Sequence, residues 1–183
     1  LSDAALELGL LLQMQSRAEG TQILGRVADA AATAGRPNEL ARSGRALEAL
    51  GRFNEANAAF RDAATDAPND PAIQAAWGEM FLDGRCQTCN TDALKSFQTV
   101  LKLEPKWAPA LLGTALATRD DNPPEAVATA RKALEINPAL TGAHLFIASE
   151  AADAGHRDEA RKAIQNALTI NPNSLEAHSL LAA

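Results

Sequence analysis

The chain is 183 residues long, 46% hydrophobic and 22% charged, with a net charge of −6. That hydrophobic share excludes a disordered chain, and the length holds either one full core or several copies of a small unit. Aromatic residues make up 4% and tyrosine is absent, so core volume has to come from Leu and Ala, which favours closely packed helices over sheets; an acidic surface also argues against a nucleic-acid partner.

The first stretch, LSDAALELGLLLQMQ, is apolar but carries Asp3 and Glu7 and lacks a basic leader. It reads as an amphipathic helix rather than a signal peptide. No apolar run approaches the roughly 18 residues that a membrane span needs. The chain starts without Met and stops at LLAA, so both ends are expected to be boundaries of a longer or processed chain, with targeting information outside it.

From there a proline keeps time. Pro68, Pro105, Pro138 and Pro172 fall 37, 33 and 34 residues apart, each after a helical run. A period of this size means stacked copies of one small unit. Aligned on the prolines, further columns appear. The copy 37–70 has Leu40, Ser43, Gly44 and Leu47, then Ala56, Phe60 and Ala63. The copy 71–106 has Gln74, Trp77, Gly78 and Phe81, then Ala93, Phe97 and Val100. The copy 107–140 has Pro109, Leu112, Gly113 and Leu116, then Ala126, Ala130 and Ala133; the copy 141–174 has His144, Ile147, Ala148 and Ala151, then Ala160, Ile164 and Ala167. A degenerate copy, 2–36, precedes them with Thr33 where proline is expected, and a truncated sixth starts at 175.

Within each half, apolar residues recur at three and four, the period of one helix face. Each half is long enough for three or four turns. The small column (Gly9, Gly44, Gly78, Gly113, Ala148) and the alanine column (Ala56, Ala93, Ala126, Ala160) are expected where two antiparallel helices cross, because small side chains let axes approach to about 8 Å. Gly51, Gly84, Gly155 and the run Asp120-Asp121-Asn122 separate the halves. Asn122 before Pro123 predicts an N-cap, and Asn137-Pro138 and Asn171-Pro172 predict helix ends.

These residues resemble the tetratricopeptide repeat, over nearly the whole chain: four good copies, one weak copy and a fragment. The resemblance implies an all-α solenoid, a single array over 1–183, in which antiparallel helix pairs form a right-handed superhelix and the first helices line a concave groove. The chain departs from the family in its aromatic columns, which are mostly Leu, Ala or Ile. It departs also in the copy 71–106, whose three extra residues are expected between its helices.

No catalytic constellation appears, and no cofactor or metal is expected. His144, His156 and His178 lie in no HExxH pattern; His144 and His178 sit 34 residues apart at equivalent places, as structural positions would. There is no GxGxxG or GxxxxGK[ST]. The two cysteines form Cys86-Gln87-Thr88-Cys89 in the stretch 83–92. The pair is open to four readings: a local disulfide, inert thiols, a redox couple, or half of a zinc site that no neighbour completes.

The remaining candidate is the groove. Helical phase places Asn38, Arg45, Glu48, Glu79, Leu82, Trp107, Thr114, Leu145 and Ser149 on first helices, away from the packing columns. Apolar anchors among a few polar groups suit an extended or helical peptide. The lining lacks the paired Lys and Asn with which the family's chaperone-binding members clamp a carboxylate. The expected function is a non-catalytic protein-interaction scaffold, soluble, in a bacterial cytoplasm or periplasm. The alternative, implied by resemblance to Ala-rich bacterial arrays, is the recruiting or regulatory N-terminal arm of a larger enzyme such as a metallopeptidase-like hydrolase. Expected partners are a protein or peptide, with no nucleic acid and no membrane span, and self-association through the C-terminal helix, whose Leu180 and Leu181 lack a partner helix in sequence.

Overall fold

The computed structural model describes residues 2–84 and 88–182. Among the described residues the chain forms eleven helices and no strand: α1 (Asp3–Met14), α2 (Ala18–Ala34), α3 (Pro37–Ala49), α4 (Phe53–Asp66), α5 (Pro71–Asp83), α6 (Cys89–Leu103), α7 (Ala108–Thr118), α8 (Pro123–Ile136), α9 (Thr141–Asp153), α10 (Arg157–Ile170) and α11 (Leu175–Ala182). None of them is long and apolar enough to cross a membrane. They fall into two compact units, Leu1–Cys89 with α1 to α5, and Asn90–Ala183 with α7 to α11 and all but the first residue of α6.

In the first unit each helix packs on the next, and α3 also touches both α1 and α5. The first helices of successive pairs therefore form one row. The second unit repeats the pattern, with α9 touching both α7 and α11. Antiparallel pairs copied in sequence are thus the building principle of both units.

The boundaries follow from local chemistry. Gly51 and Gly155 take left-handed φ values of 73° and 75°, where a side chain would be strained, and each turns the chain into its second helix. Asn122 caps α8 by accepting a hydrogen bond from the Glu125 amide at 3.4 Å, with Pro123 opening the helix. Asp70 does the same ahead of Pro71, accepting from the Ala72 amide at 2.9 Å and the Ile73 amide at 3.4 Å. At the last two repeat boundaries, Asn137 and Asn171 accept from the amides of Ala139 (3.1 Å) and Asn173 (3.2 Å). The stretch 83–92, expected between helices, is shorter as a loop: Asp83 ends α5 and α6 already begins at Cys89.

Tight crossings hold the pairs together. A methyl group on Gly9 would lie 2.9 Å from the Leu24 side chain, one on Gly44 2.8 Å from the Phe60 ring, and one on Gly113 2.4 Å from the Phe97 ring. Gly9 and Gly44 receive side chains from their own second helix, as expected. Gly113 on α7 instead receives Phe97 from α6, the helix before it, because a ring in this column reaches the first helix that follows its own pair. Phe60 and Phe97 are 0% and 1% exposed, and burying each ring contributes about 2–3 kcal/mol. The buried hydroxyl of Ser43 donates to the Ala28 carbonyl at 3.0 Å, so the α2–α3 crossing leaves no donor unmet. Trp77 packs at the edge of the first unit's core, stacked on Phe81 at 5.8 Å and donating from Nε1 to Asn57 Oδ1 at 2.8 Å.

Two glycines separate backbone from packing effects. Gly25 on α2 has open space around it, so Gly25→Ala should raise stability by up to about 1 kcal/mol through helix propensity alone. Gly113→Ala has the same propensity gain but must displace the Phe97 ring, and should lose about 1–3 kcal/mol net. Urea unfolding of the two variants checks this; a Gly113→Ala protein as stable as the parent removes close approach as the reason for glycine there.

Candidate functional site

Because α1, α3 and α5 stand side by side, residues on their unpacked faces meet. Two open hollows result, of about 380 and 370 Å³, and both are lined by Arg45. The first runs over Asp3 and Leu6 of α1, Asn38, Ala41 and Arg42 of α3, and Asp70, Ala72, Ile73 and Ala76 at the start of α5. Arg42 organises its floor: Nε donates to Asp3 Oδ1 and Nη1 to Glu39 Oε2, both at 2.7 Å. The second hollow is lined by Leu10, Glu48, Ala49, Phe53, Glu79 and Asp83.

The second hollow holds three carboxylates, Glu48, Glu79 and Asp83, against one guanidinium, Arg45, which itself lies 3.9 Å from Glu7. The charge is therefore under-compensated. Burial, then the charges of Asp83 and Glu79, push the Glu48 carboxyl up to about 7, against the pull of Arg45. Glu79 is raised as well, chiefly by burial and further by Asp83, with Arg45 opposing. Leu10 and Phe53 supply apolar walls, and Phe53 is 45% exposed. The arrangement suits a ligand that brings a cation together with apolar surface.

Of the residues singled out from the sequence, Asn38, Arg45, Glu48 and Glu79 come together here on α3 and α5. Leu82 is half-buried and lies in neither hollow. Trp107 is half-buried at the N-cap of α7, where its carbonyl accepts from the Ala110 and Leu111 amides. The Thr114 hydroxyl donates to the Ala110 carbonyl of its own helix at 2.9 Å. Ser149 is half-buried on α9, and Leu145, at 5% exposure, belongs to the core cluster of the second unit. Cys86 lies outside the described residues, so the proposed Cys86–Cys89 disulfide does too. Cys89 itself is 5% exposed at the start of α6.

Asp83 and Phe53 were missed. Asp83 follows Glu79 by four on the same helix, a spacing that puts both on one face. Phe53 opens a second helix, and no periodicity within α3 or α5 points to it. His144 and His178 have structural roles: each Nε2 lies 3.0 or 2.9 Å from the carbonyl of Pro138 or Pro172. A carbonyl only accepts, so each ring donates Nε2–H and braces the repeat boundary.

The raised Glu48 carboxyl has a direct consequence for stability. The folded chain holds this proton more tightly than the unfolded chain, so folding loses free energy as pH climbs from the ordinary 4.5 through about 7. Glu48→Gln, which cannot ionise, should match the parent near pH 5 and exceed it at pH 8 by about 1–2 kcal/mol after solvent screening. Denaturant unfolding at both pH values checks this; parallel pH dependence in parent and variant would refute it.

No family model matches the chain, and no curated protein matches its sequence. Its architecture does have solved counterparts. TTC0263, described as a thermophilic TPR protein in Thermus thermophilus, superposes with a TM-score of 0.79 at 19% identity, covering 99% of each chain. MamA from Desulfovibrio magneticus RS-1 (41-end) gives 0.64 at 18% identity, over 94% of this chain and 96% of that one. YrrB, described as a TPR protein with an unusual peptide-binding site, gives 0.63 at 14% identity, over 98% and 91%. At these identities the likeness establishes the fold: the chain is an all-α array with the tetratricopeptide-repeat architecture that its columns imply.

Proposed function

We propose that the chain is a non-catalytic interaction scaffold that holds a peptide, or an exposed segment of a partner protein, across α1, α3 and α5 of its first unit. The carrying observation is the second hollow, where Glu48, Glu79 and Asp83 face a single Arg45 between the apolar Leu10 and Phe53. Glu48 and Glu79 are partly desolvated and hold their protons more tightly than usual, so an incoming cation gains by relieving their mutual repulsion. The segment this favours bears Lys or Arg next to an apolar side chain. That YrrB, which has the same fold, is described as having a peptide-binding site supports the reading.

Selection of a displayed random-peptide library against the purified chain tests it. Enriched peptides should carry a basic residue flanked by an apolar one. Glu79→Lys should weaken them at least tenfold, which corresponds to about 1.4 kcal/mol. Because Glu48 becomes anionic as pH passes about 7, affinity for a basic peptide should rise between pH 6 and pH 8, and Glu48→Gln should flatten that rise. The facing charges are Glu79, Asp83 and Arg45, with Glu7 beside Arg45. Failure to enrich peptides, or peptides whose binding ignores Glu79→Lys, rejects this face as the site.

A further inference from the structure

The outer face of α1 and a cleft between α10 and α11 are complementary, and we propose that they bind each other between copies of the chain, so that the protein associates head to tail. This does not rest on the peptide-binding reading.

The cleft has a volume of about 550 Å³ and is lined by Arg157, Ala160, Arg161 and Ile164 of α10 and by Leu180 and Leu181 of α11. The preceding repeat shows what such a seat takes. Thirty-four residues earlier, the places of Leu180, Leu181, Ala160 and Ile164 are held by Phe146, Ile147, Ala126 and Ala130. There the four share one core cluster with Ala163, Ile164 and Ala167 of α10, and none is more than 5% exposed. At the α10–α11 seat no helix among the described residues plays the part of α10, and Leu181 is 51% exposed. The seat is therefore shaped for a helix with apolar residues at i, i+3 or i+4, and i+7.

α1 presents that pattern on its exposed side. Ala4, Leu8 and Leu11 follow at i, i+4 and i+7; Leu8 and Leu11 are 48% and 54% exposed, and Met14, next along, is 84% exposed. The opposite side, with Leu6 and Gly9 buried, is the one packed on the first unit's core. Charge agrees with shape. α1 contains Asp3 and Glu7 and no Lys or Arg. The cleft contributes Arg157 and Arg161, whereas the second unit's ion pairs join Arg119 to Glu150 and Asp153 and Arg131 to Glu159, leaving those two arginines unpaired among the described residues. Asp3 and Glu7 already lean on Arg42 and Arg45, but their side chains remain 82% and 65% exposed and open to a second cation. Donor and acceptor are different surfaces, so the contact is heterologous and each copy can bind two neighbours.

Sedimentation of the purified chain from low micromolar to near-millimolar concentration tests this, alongside Leu11→Glu, Leu181→Glu and, should Leu181→Glu lose its helical circular dichroism, Arg161→Glu in its place. The parent should grow past a dimer with concentration, and less so at high salt. Each variant alone should stay monomeric. An equimolar mixture of a donor variant and an acceptor variant should stop at a dimer, since each retains one working surface. A parent that is monomeric throughout, a variant that still associates, or a mixture that stays monomeric would each overturn the proposal.

Discussion

The structure depends on letting bulky side chains lie directly against helix backbone. Phe60 and Phe97 reach glycines on the first helices they cover, Gly44 and Gly113, closer than any Cβ would permit. In a chain with five Phe, two Trp and no Tyr, these few rings do the space-filling that aromatic columns perform elsewhere. The consequence reaches the surface. Close approach of α3 and α4 sets α3 flat between α1 and α5, and only then do Arg45, Glu48, Glu79 and Asp83 share one hollow. Steric fit inside and charge convergence outside are two sides of the same helix.

The repeat itself was legible because it is written twice, as helix-face spacing and as a recurring proline. Even the degenerate first copy forms its pair: Thr33 stands where proline is expected, and Gly35, at φ 68°, makes the turn instead. The columns that vary are polar and local. Asp70 closes one boundary by capping, whereas Pro138 and Pro172 are braced by His144 and His178. Several side chains can satisfy the same backbone groups at a turn, so these positions drift while the steric columns persist.

The site was less legible, for a geometric reason. Helical phase tells which side of its own helix a residue occupies, but not how far the next helix is shifted or which of its residues stands opposite. Asn38, Arg45, Glu48 and Glu79 could be grouped from phase alone. Asp83 and Phe53 join them only through the placement of α5 and of the α3–α4 turn. The same limit acts in reverse at Leu145, which phase puts on the unpacked side of α9 but which the second unit's core encloses at 5% exposure.

The charge pattern argues that this surface was not arranged for stability. An acidic chain seeking only to fold would spread its carboxylates over solvent, where each costs almost nothing. Here two glutamates are drawn partly out of water beside an aspartate and share one arginine. Elsewhere in the same unit the chain pairs its charges one to one, as Arg52 with Glu55 at 2.6 Å and Arg42 with Asp3 at 2.7 Å. An unfavourable excess kept at one place, in a protein that neutralises its charges with ease nearby, is what a binding surface requires: free energy withheld from folding and released when a cation arrives.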